Sequence, residues 1–221
     1  MVPAGAVTEP GRFIVFEGGE GTGKSTQARL LAAALQRAGR EAVLSREPGG
    51  PPGAELLRRL LIETPPAGGW EPVSEALLHY AARAEHLNKT IVPALAAGRW
   101  VVCDRFADST EAYQGAGLAL AADALQPLRR LVVDDIEPDL VFVLDMDPGA
   151  GLARAKRRSA NADRYERMDR PFHDRVRAAF QEIARRGGDR YVVVDAAAGV
   201  DDVSAAVRSA IERRLGLRLE G

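Results

Sequence analysis

Short apolar runs alternate with longer amphipathic segments along the chain, and the two periods predict its elements. The runs RFIVFE (12–17), EAVLSRE (41–47), RWVVCDR (99–105), DLVFVLD (139–145) and RYVVVDA (190–196) read as strands. Apolar residues at helical spacing predict helices over 24–38, ending at Gly39, over 53–63, over 71–97 with a kink at Pro93, over 171–186 and over 201–215. Asp147 and Pro148 read as an N-cap and first helical residue of a further helix. Strands so continuously apolar are buried on both faces, which calls for a parallel sheet with helices on each side. The chain shows no internal repeat and no dividing linker. One α/β domain over 12–221, behind a flexible tail over 1–11, is expected.

Composition narrows the classes. The chain has 221 residues, 46% of them hydrophobic and 28% charged, enough for a full core. Thirty basic against thirty-one acidic side chains argue against a polyanion-coating protein, so no nucleic-acid partner is expected. A small anion held in one pocket remains open. Cys103 is the only cysteine, which forbids an intrachain disulfide, and its apolar run makes it a small buried hydrophobe. The opening MVPAGAVTEPGR lacks the cationic start and apolar core of a signal peptide. No apolar stretch approaches the roughly 20 residues of a membrane span, so no membrane partner and a cytoplasmic location are expected.

The chemistry starts in FEGGEGTGKSTQ (16–27), between the first strand and first helix. Gly18-x4-Gly23-Lys24-Ser25 matches the phosphate-binding loop in its required context. Gly18, Gly19, Gly21 and Gly23 let backbone N–H groups turn inward, with Glu20, Thr22 and Thr26 completing the expected ATP site. Lys24 would neutralise the outer phosphates, and the Ser25 hydroxyl would ligate Mg²⁺. Lysine is rare here, with 3 against 27 arginines, so Lys24 is no generic surface charge. A carboxylate, Glu20, inside an anion site is the anomaly.

Four stretches face that loop across the strand ends. SREPGG (45–50) places Arg46 and Pro48 beyond the second strand. HYAAR (79–83) sets His79 one helical turn from Arg83, a flat ring beside a guanidinium. CDRFADSTEAYQ (103–114) brings Asp104 and Arg105 off the third strand, with Thr110, Tyr113 and Gln114 following at helical spacing. RAKRRSANADRYER (154–167) carries six Arg or Lys, at 154, 156, 157, 158, 164 and 167. Each has a blander reading: a surface arginine, a satisfied histidine, a capped helix, a solvated charged face. The cationic run would otherwise be a lid closing over phosphates.

FEGGEGTGKSTQ, REPGG, YAAR, DRFADSTEAYQ and DRYE, in this order and at these separations, resemble bacterial thymidylate kinase from about Arg12 to the last helix. The resemblance implies a P-loop NTPase-type, nucleoside monophosphate kinase-like fold: a five-stranded parallel sheet flanked by helices, with a short lid at about 154–168. It implies a homodimer that turns ATP and dTMP into ADP and dTDP with Mg²⁺. By resemblance Glu20 reaches the deoxyribose rather than the ATP phosphates, and Arg46, Pro48, Arg83 and Arg105 contact the acceptor phosphate and base. Asp104 is then the acid near Mg²⁺, and Thr110 meets the thymine edge. Tyr113, with Gln114 beside it, crowds the sugar 2′ position and excludes ribonucleotides.

Two departures stand out. The family commonly stacks phenylalanine on thymine where this chain has His79, and some members carry an arginine where it has Gly21. The chain thus resembles the class that draws its cation from the lid, with Arg158 expected to act and Arg154 to support it. Two outcomes follow from the residues: protonation of His79 would weaken dTMP binding between about pH 7 and 5.5, and an arginine at Gly21 would partly replace Arg158.

The acceptor is a phosphate oxygen, ionised already, so catalysis would need positioning and cations rather than a general base: Lys24, Mg²⁺, Arg105 and the lid arginines. A deoxynucleoside kinase would want a carboxylate base and fewer acceptor arginines. A nucleotide-dependent switch would need no second nucleotide pocket.

Overall fold

The central strand β1 (Phe13–Gly18) is buried along its whole length. Its alternate side chains serve two cores: Phe13 and Val15 join one cluster, Ile14 and Phe16 the other. The structure is a computed structural model that describes residues 11–158 and 164–220, with Arg158 described in its backbone alone. The expected tail, except Gly11, and the lid residues 159–163 therefore lie outside the described residues.

The other strands are β2 (Ala42–Arg46), β3 (Trp100–Asp104), β4 (Leu140–Asp145) and β5 (Tyr191–Asp195). They form one five-stranded parallel sheet in the order β2-β3-β1-β4-β5. Helix α1 (Lys24–Arg37) and helix α9 (Val200–Leu215) cover one face. Helix α3 (Pro72–His86) and helix α8 (Arg170–Gly187) cover the other. Burial on both faces holds for β1, β3 and β4. The edge strands are looser, with Leu44 on β2 and Val193 on β5 exposed. Cys103 is buried and free, as its apolar run implies.

The expected helix over 53–63 is α2 (Pro52–Arg58) prolonged by a π-helical turn, Arg59–Glu63. The expected helix over 71–97 is α3, a π-helical turn at Leu87–Ile91 and α4 (Val92–Ala96). The discontinuity thus falls in the turn before Pro93, whose ring has no N–H to continue an α-helical ladder. After β3 come α5 (Ala107–Thr110) and a π-helical turn, Glu111–Gly117, that carries Tyr113 and Gln114. The sequence reading missed α6 (Ala122–Val132), where Pro127 interrupts the pattern. Asp147 caps α7 (Pro148–Arg158) through the Ala150 N–H, at 3.1 Å. Among the described residues, no helix is long and apolar enough to cross a membrane.

Candidate active site

At the carboxyl ends of β1, β2 and β3 lies a cavity of about 400 Å³. The phosphate loop supplies one wall through Glu20, Gly21, Gly23, Lys24, Ser25 and Thr26. Arg46, Pro48, His79, Arg83, Arg105, Thr110, Tyr113 and Gln114 face it. The structure therefore brings together most of the residues singled out from sequence, from segments up to about ninety positions apart; Gly18, Gly19, Thr22 and Arg154 do not line the cavity.

The loop's shape comes from glycine. Gly18, Gly21 and Gly23 hold φ of 137°, 68° and 93°, where a side chain is strained. Lys24 Nζ donates to the Gly19 carbonyl at 2.6 Å and the Thr22 hydroxyl donates to the same oxygen at 3.0 Å. Burial and then the Arg105 charge lower the Lys24 ammonium to about 8, against Glu20 and Asp104. A phosphate there would reverse that shift. Gly21 also packs on the backbone of α7. A Cβ at Gly21 would sit 1.9 Å from the Gly151 carbonyl, and one at Gly151 would sit 2.3 Å from the Glu20 carbonyl. The expected replacement of a lid cation by arginine at Gly21 is thereby corrected: the site admits no side chain without moving the loop or the helix.

Arg105 is the hub of the phosphate end. Its backbone occupies the left-handed region at φ 71°, rare for a residue with a side chain. Its guanidinium donates to the Gly18 carbonyl at 3.1 Å, Ser109 Oγ at 3.2 Å, Glu20 Oε1 at 2.8 Å and Tyr113 Oη at 2.9 Å. Tyr113 Oη donates to the same Glu20 oxygen at 2.7 Å. Burial would raise the Glu20 carboxyl, but Arg105, Lys24 and the Tyr113 hydroxyl bring it down to about 2. The carboxylate in the anion site is thus an ionised, cation-held acceptor. Ser25 Oγ bonds Asp104 Oδ2, and Asp104 Oδ1 is buried without a partner among the described residues. One hydroxyl and one under-used carboxylate suit Mg²⁺, which takes few protein ligands and keeps water and phosphate oxygens. No cluster of three or more acidic, histidine or cysteine ligands occurs among the described residues.

The end of the cavity away from the phosphate loop rests on a buried relay. Arg83 Nε donates to Glu47 Oε2 at 2.7 Å, and its Nη2 donates to the Phe106 carbonyl at 2.9 Å and Thr110 Oγ1 at 3.1 Å. His86 Nδ1 stands 3.0 Å from the other Glu47 oxygen, and its Nε2 2.6 Å from Ser45 Oγ. Arg83 Nη1 is buried with no hydrogen-bond partner among the described residues. The neighbouring Glu47–Pro48 bond is cis. His79 is held neutral: burial, then Arg83, Arg105 and Arg164, lowers its pKa to about 3. The expected protonation between pH 7 and 5.5 is corrected accordingly. Gln114 is buried, its amide given to Glu75 Oε1 at 2.7 Å and Tyr165 Oη at 3.0 Å.

Arg46 is half exposed and pairs with Glu55 at 3.1 Å. Arg154 is turned to the segment after β5, donating to the carbonyls of Ala196 at 2.7 Å and Ala197 at 3.1 Å. Arg158 ends α7, but its side chain lies outside the described residues. Sequence reasoning missed Arg58, which lines the cavity and donates to the Pro48 carbonyl at 2.8 Å. Nothing in LLRRLL distinguishes it from Arg59. Glu47, Glu75 and Tyr165 were also missed as site residues, although Glu47 and Tyr165 lie inside quoted motifs.

Comparison with known proteins agrees on one family. A family model described as Thymidylate kinase matches residues 16–207. The chain is 50% identical to the thymidylate kinase of Caulobacter vibrioides, over 94% of this chain and 99% of the relative. It is 48% identical to that of Ruegeria pomeroyi, over 89% and 92%. The crystal structure of thymidylate kinase from Ehrlichia chaffeensis superposes with a TM-score of 0.75 at 35% identity, covering 92% of this chain and 99% of that one.

Proposed function

The chain belongs to the thymidylate kinase family and phosphorylates dTMP with ATP as donor; from that premise we propose which of its side chains hold each nucleotide and act on the moving phosphoryl group. The observation that carries the assignment is the single cavity in which the phosphate loop meets Arg46, His79, Arg83, Arg105, Thr110 and Tyr113.

Residues 18–26 hold the ATP phosphates, with Lys24 on the outer ones. Ser25 and Asp104 would hold Mg²⁺, which would supply charge neutralisation to the phosphates. The acceptor phosphate lies against Arg46, Arg58 and Arg105. Its sugar meets Glu20, whose oxygen is already gathered with Arg105 and Tyr113, so a 3′-hydroxyl finds an ionised acceptor. Thymine lies between His79 and Pro48, and the unpartnered Arg83 Nη1 donates to a base carbonyl beside Thr110. Gln114 lines the pocket with its amide committed to Glu75 and Tyr165. The acceptor oxygen is ionised at neutral pH, so no residue needs to remove a proton. The work is alignment of two anions and supply of cations. Arg158 enters from the lid at about 154–168, and Arg154 supports α7 through the β5 segment.

The single kinase domain spans 12–221 behind the tail, in the cytoplasm, without nucleic-acid partners. A homodimer forms through α2, the π-helical turn that follows it and α3, which leave Leu56, Leu60, Val73 and Leu77 exposed. ADP release is the test. ATP with dTMP should give turnover, whereas ATP with thymidine or with no acceptor should give background. Equal turnover of thymidine would sink the phosphate-acceptor assignment.

A further inference from the structure

Behind the base pocket, Glu75 is fully buried on α3, one turn before His79. Its Oε2 pairs with Arg164. Its Oε1 accepts from Gln114 Nε2 at 2.7 Å and from the Tyr165 hydroxyl at 2.7 Å. Tyr165 has one proton to give, and the carboxylate takes it. The phenol oxygen then faces Gln114 Nε2 at 3.0 Å and His79 Nε2 at 3.0 Å, and toward both it can only accept. The His79 nitrogen turned to Tyr165 must therefore carry the hydrogen, since the other tautomer would oppose two lone pairs. The Tyr165 ring is itself fixed, packed edge-on to Tyr113 with centroids 5.1 Å apart.

We propose that Tyr165 is a positioning residue for acceptor recognition: its hydroxyl, committed to Glu75, holds His79 as the Nε2–H tautomer with its ring plane set in the base pocket. The inference rests on the reading that thymine stacks on His79. The low basicity of that imidazole, described above, agrees with a ring that stays uncharged. A phenylalanine at position 79 needs no such device, because it has neither tautomer nor polar edge. Arg164 and Tyr165 are neighbours in the chain, so one buried carboxylate holds this pair and, through Tyr165, the stacking ring.

Nitrogen-resolved NMR of the full chain measures the tautomer directly. Three histidines give three ring systems, and the signals lost in His79→Phe identify the one required. The expected spectrum shows protonated-type Nε2 and unprotonated Nδ1 for His79, both moving when dTMP is added. Tyr165→Phe, which keeps the ring, should raise the KM for dTMP by about three- to tenfold, the worth of one hydrogen bond, with kcat and the ATP KM within about twofold. In a His79→Phe background the same change should alter that KM less than about twofold.

An Nδ1–H tautomer in the wild type overturns the proposal, and needs no variant to fold. So does an equal Tyr165→Phe cost in both backgrounds, which would make Tyr165 a packing residue. If dTMP leaves the His79 signals unmoved, the stacking reading falls first and this inference with it.

Discussion

The two ends of the cavity are built differently. At the phosphate end, Glu20, Lys24, Ser25, Asp104 and Arg105 come from one loop and one strand terminus, and charge meets charge directly. At the base end, Arg83 and His79 depend on side chains behind them, drawn from positions 45, 47, 75, 86, 110, 114 and 165. On the proposed assignment the first end would sum charge on an anion, and the second would discriminate a neutral ring through angles and hydrogen positions fixed by buried relays. Damage at the first should therefore appear as lost turnover, and at the second as lost affinity or stability.

The largest effect tests the phosphate end from its lid side. Arg158→Ala should lower kcat by roughly 10²- to 10⁴-fold with little change in KM, as expected of a cation engaged in the transition state. Lysine should rescue poorly for want of the planar fork. Steady-state kinetics with kcat within about threefold would leave the lid a solvated face.

At the base end, Arg83→Met removes the guanidinium from the buried Glu47 carboxylate and leaves it only the His86 ring. Unfolding should cost about 3–5 kcal/mol less, a fall in Tm of roughly 10 °C by calorimetry, alongside weak dTMP binding. A stable variant with only a raised KM would show the relay to be dispensable for folding.

Tyr113 belongs to both ends, its hydroxyl on Glu20 and Arg105 and its ring in the core. Tyr113→Phe should lower kcat/KM for dTMP by about tenfold, as the hydroxyl's bonds to Glu20 and from Arg105 are lost. Exclusion of the ribonucleotide should persist, because ring bulk causes it. Competition assays with both acceptors would separate these, and equal use of both by the wild type would remove Tyr113 from the sugar.

The smallest effect is a pH slope. Unfolded His79 takes up a proton below about 6.5, whereas the folded imidazole resists until about 3. Its contribution to stability is thus constant above 6.5 and falls as pH drops below it, by about 1 kcal/mol near pH 5.5. His79→Phe should lose that slope in urea titrations at pH 7.5 and 5.5. A parallel slope in both proteins would assign the acid sensitivity elsewhere.

The same contrast explains what could be read from sequence. The phosphate loop, Asp104-Arg105 and the five strands are local patterns with local causes: glycine φ values, apolar runs and strand ends. The acceptor residues were legible as motifs, but their partners were not. Glu47 and Tyr165 sat unremarked inside REPGG and DRYE, because a buried carboxylate or phenol gains its meaning from residues up to about ninety positions away. Arg58 carried no signal beyond helical spacing. Helix α6 was hidden by Pro127, a residue that tertiary packing overrode.

The contact between Gly21 and Gly151 bears on how such a protein can change. An arginine in the phosphate loop and an arginine in the lid are two ways of delivering the same charge, and on paper a lineage could trade one for the other by single substitutions. Here the loop route is shut by a carbonyl 1.9 Å from where the first carbon of any side chain would stand, at a φ of 68°. Gly21→Arg should cost stability and restore no turnover to Arg158→Ala unless α7 is displaced as well. Two positions 130 apart in the chain must move together or not at all, so the source of the cation is inherited as a property of the whole loop-and-helix seam.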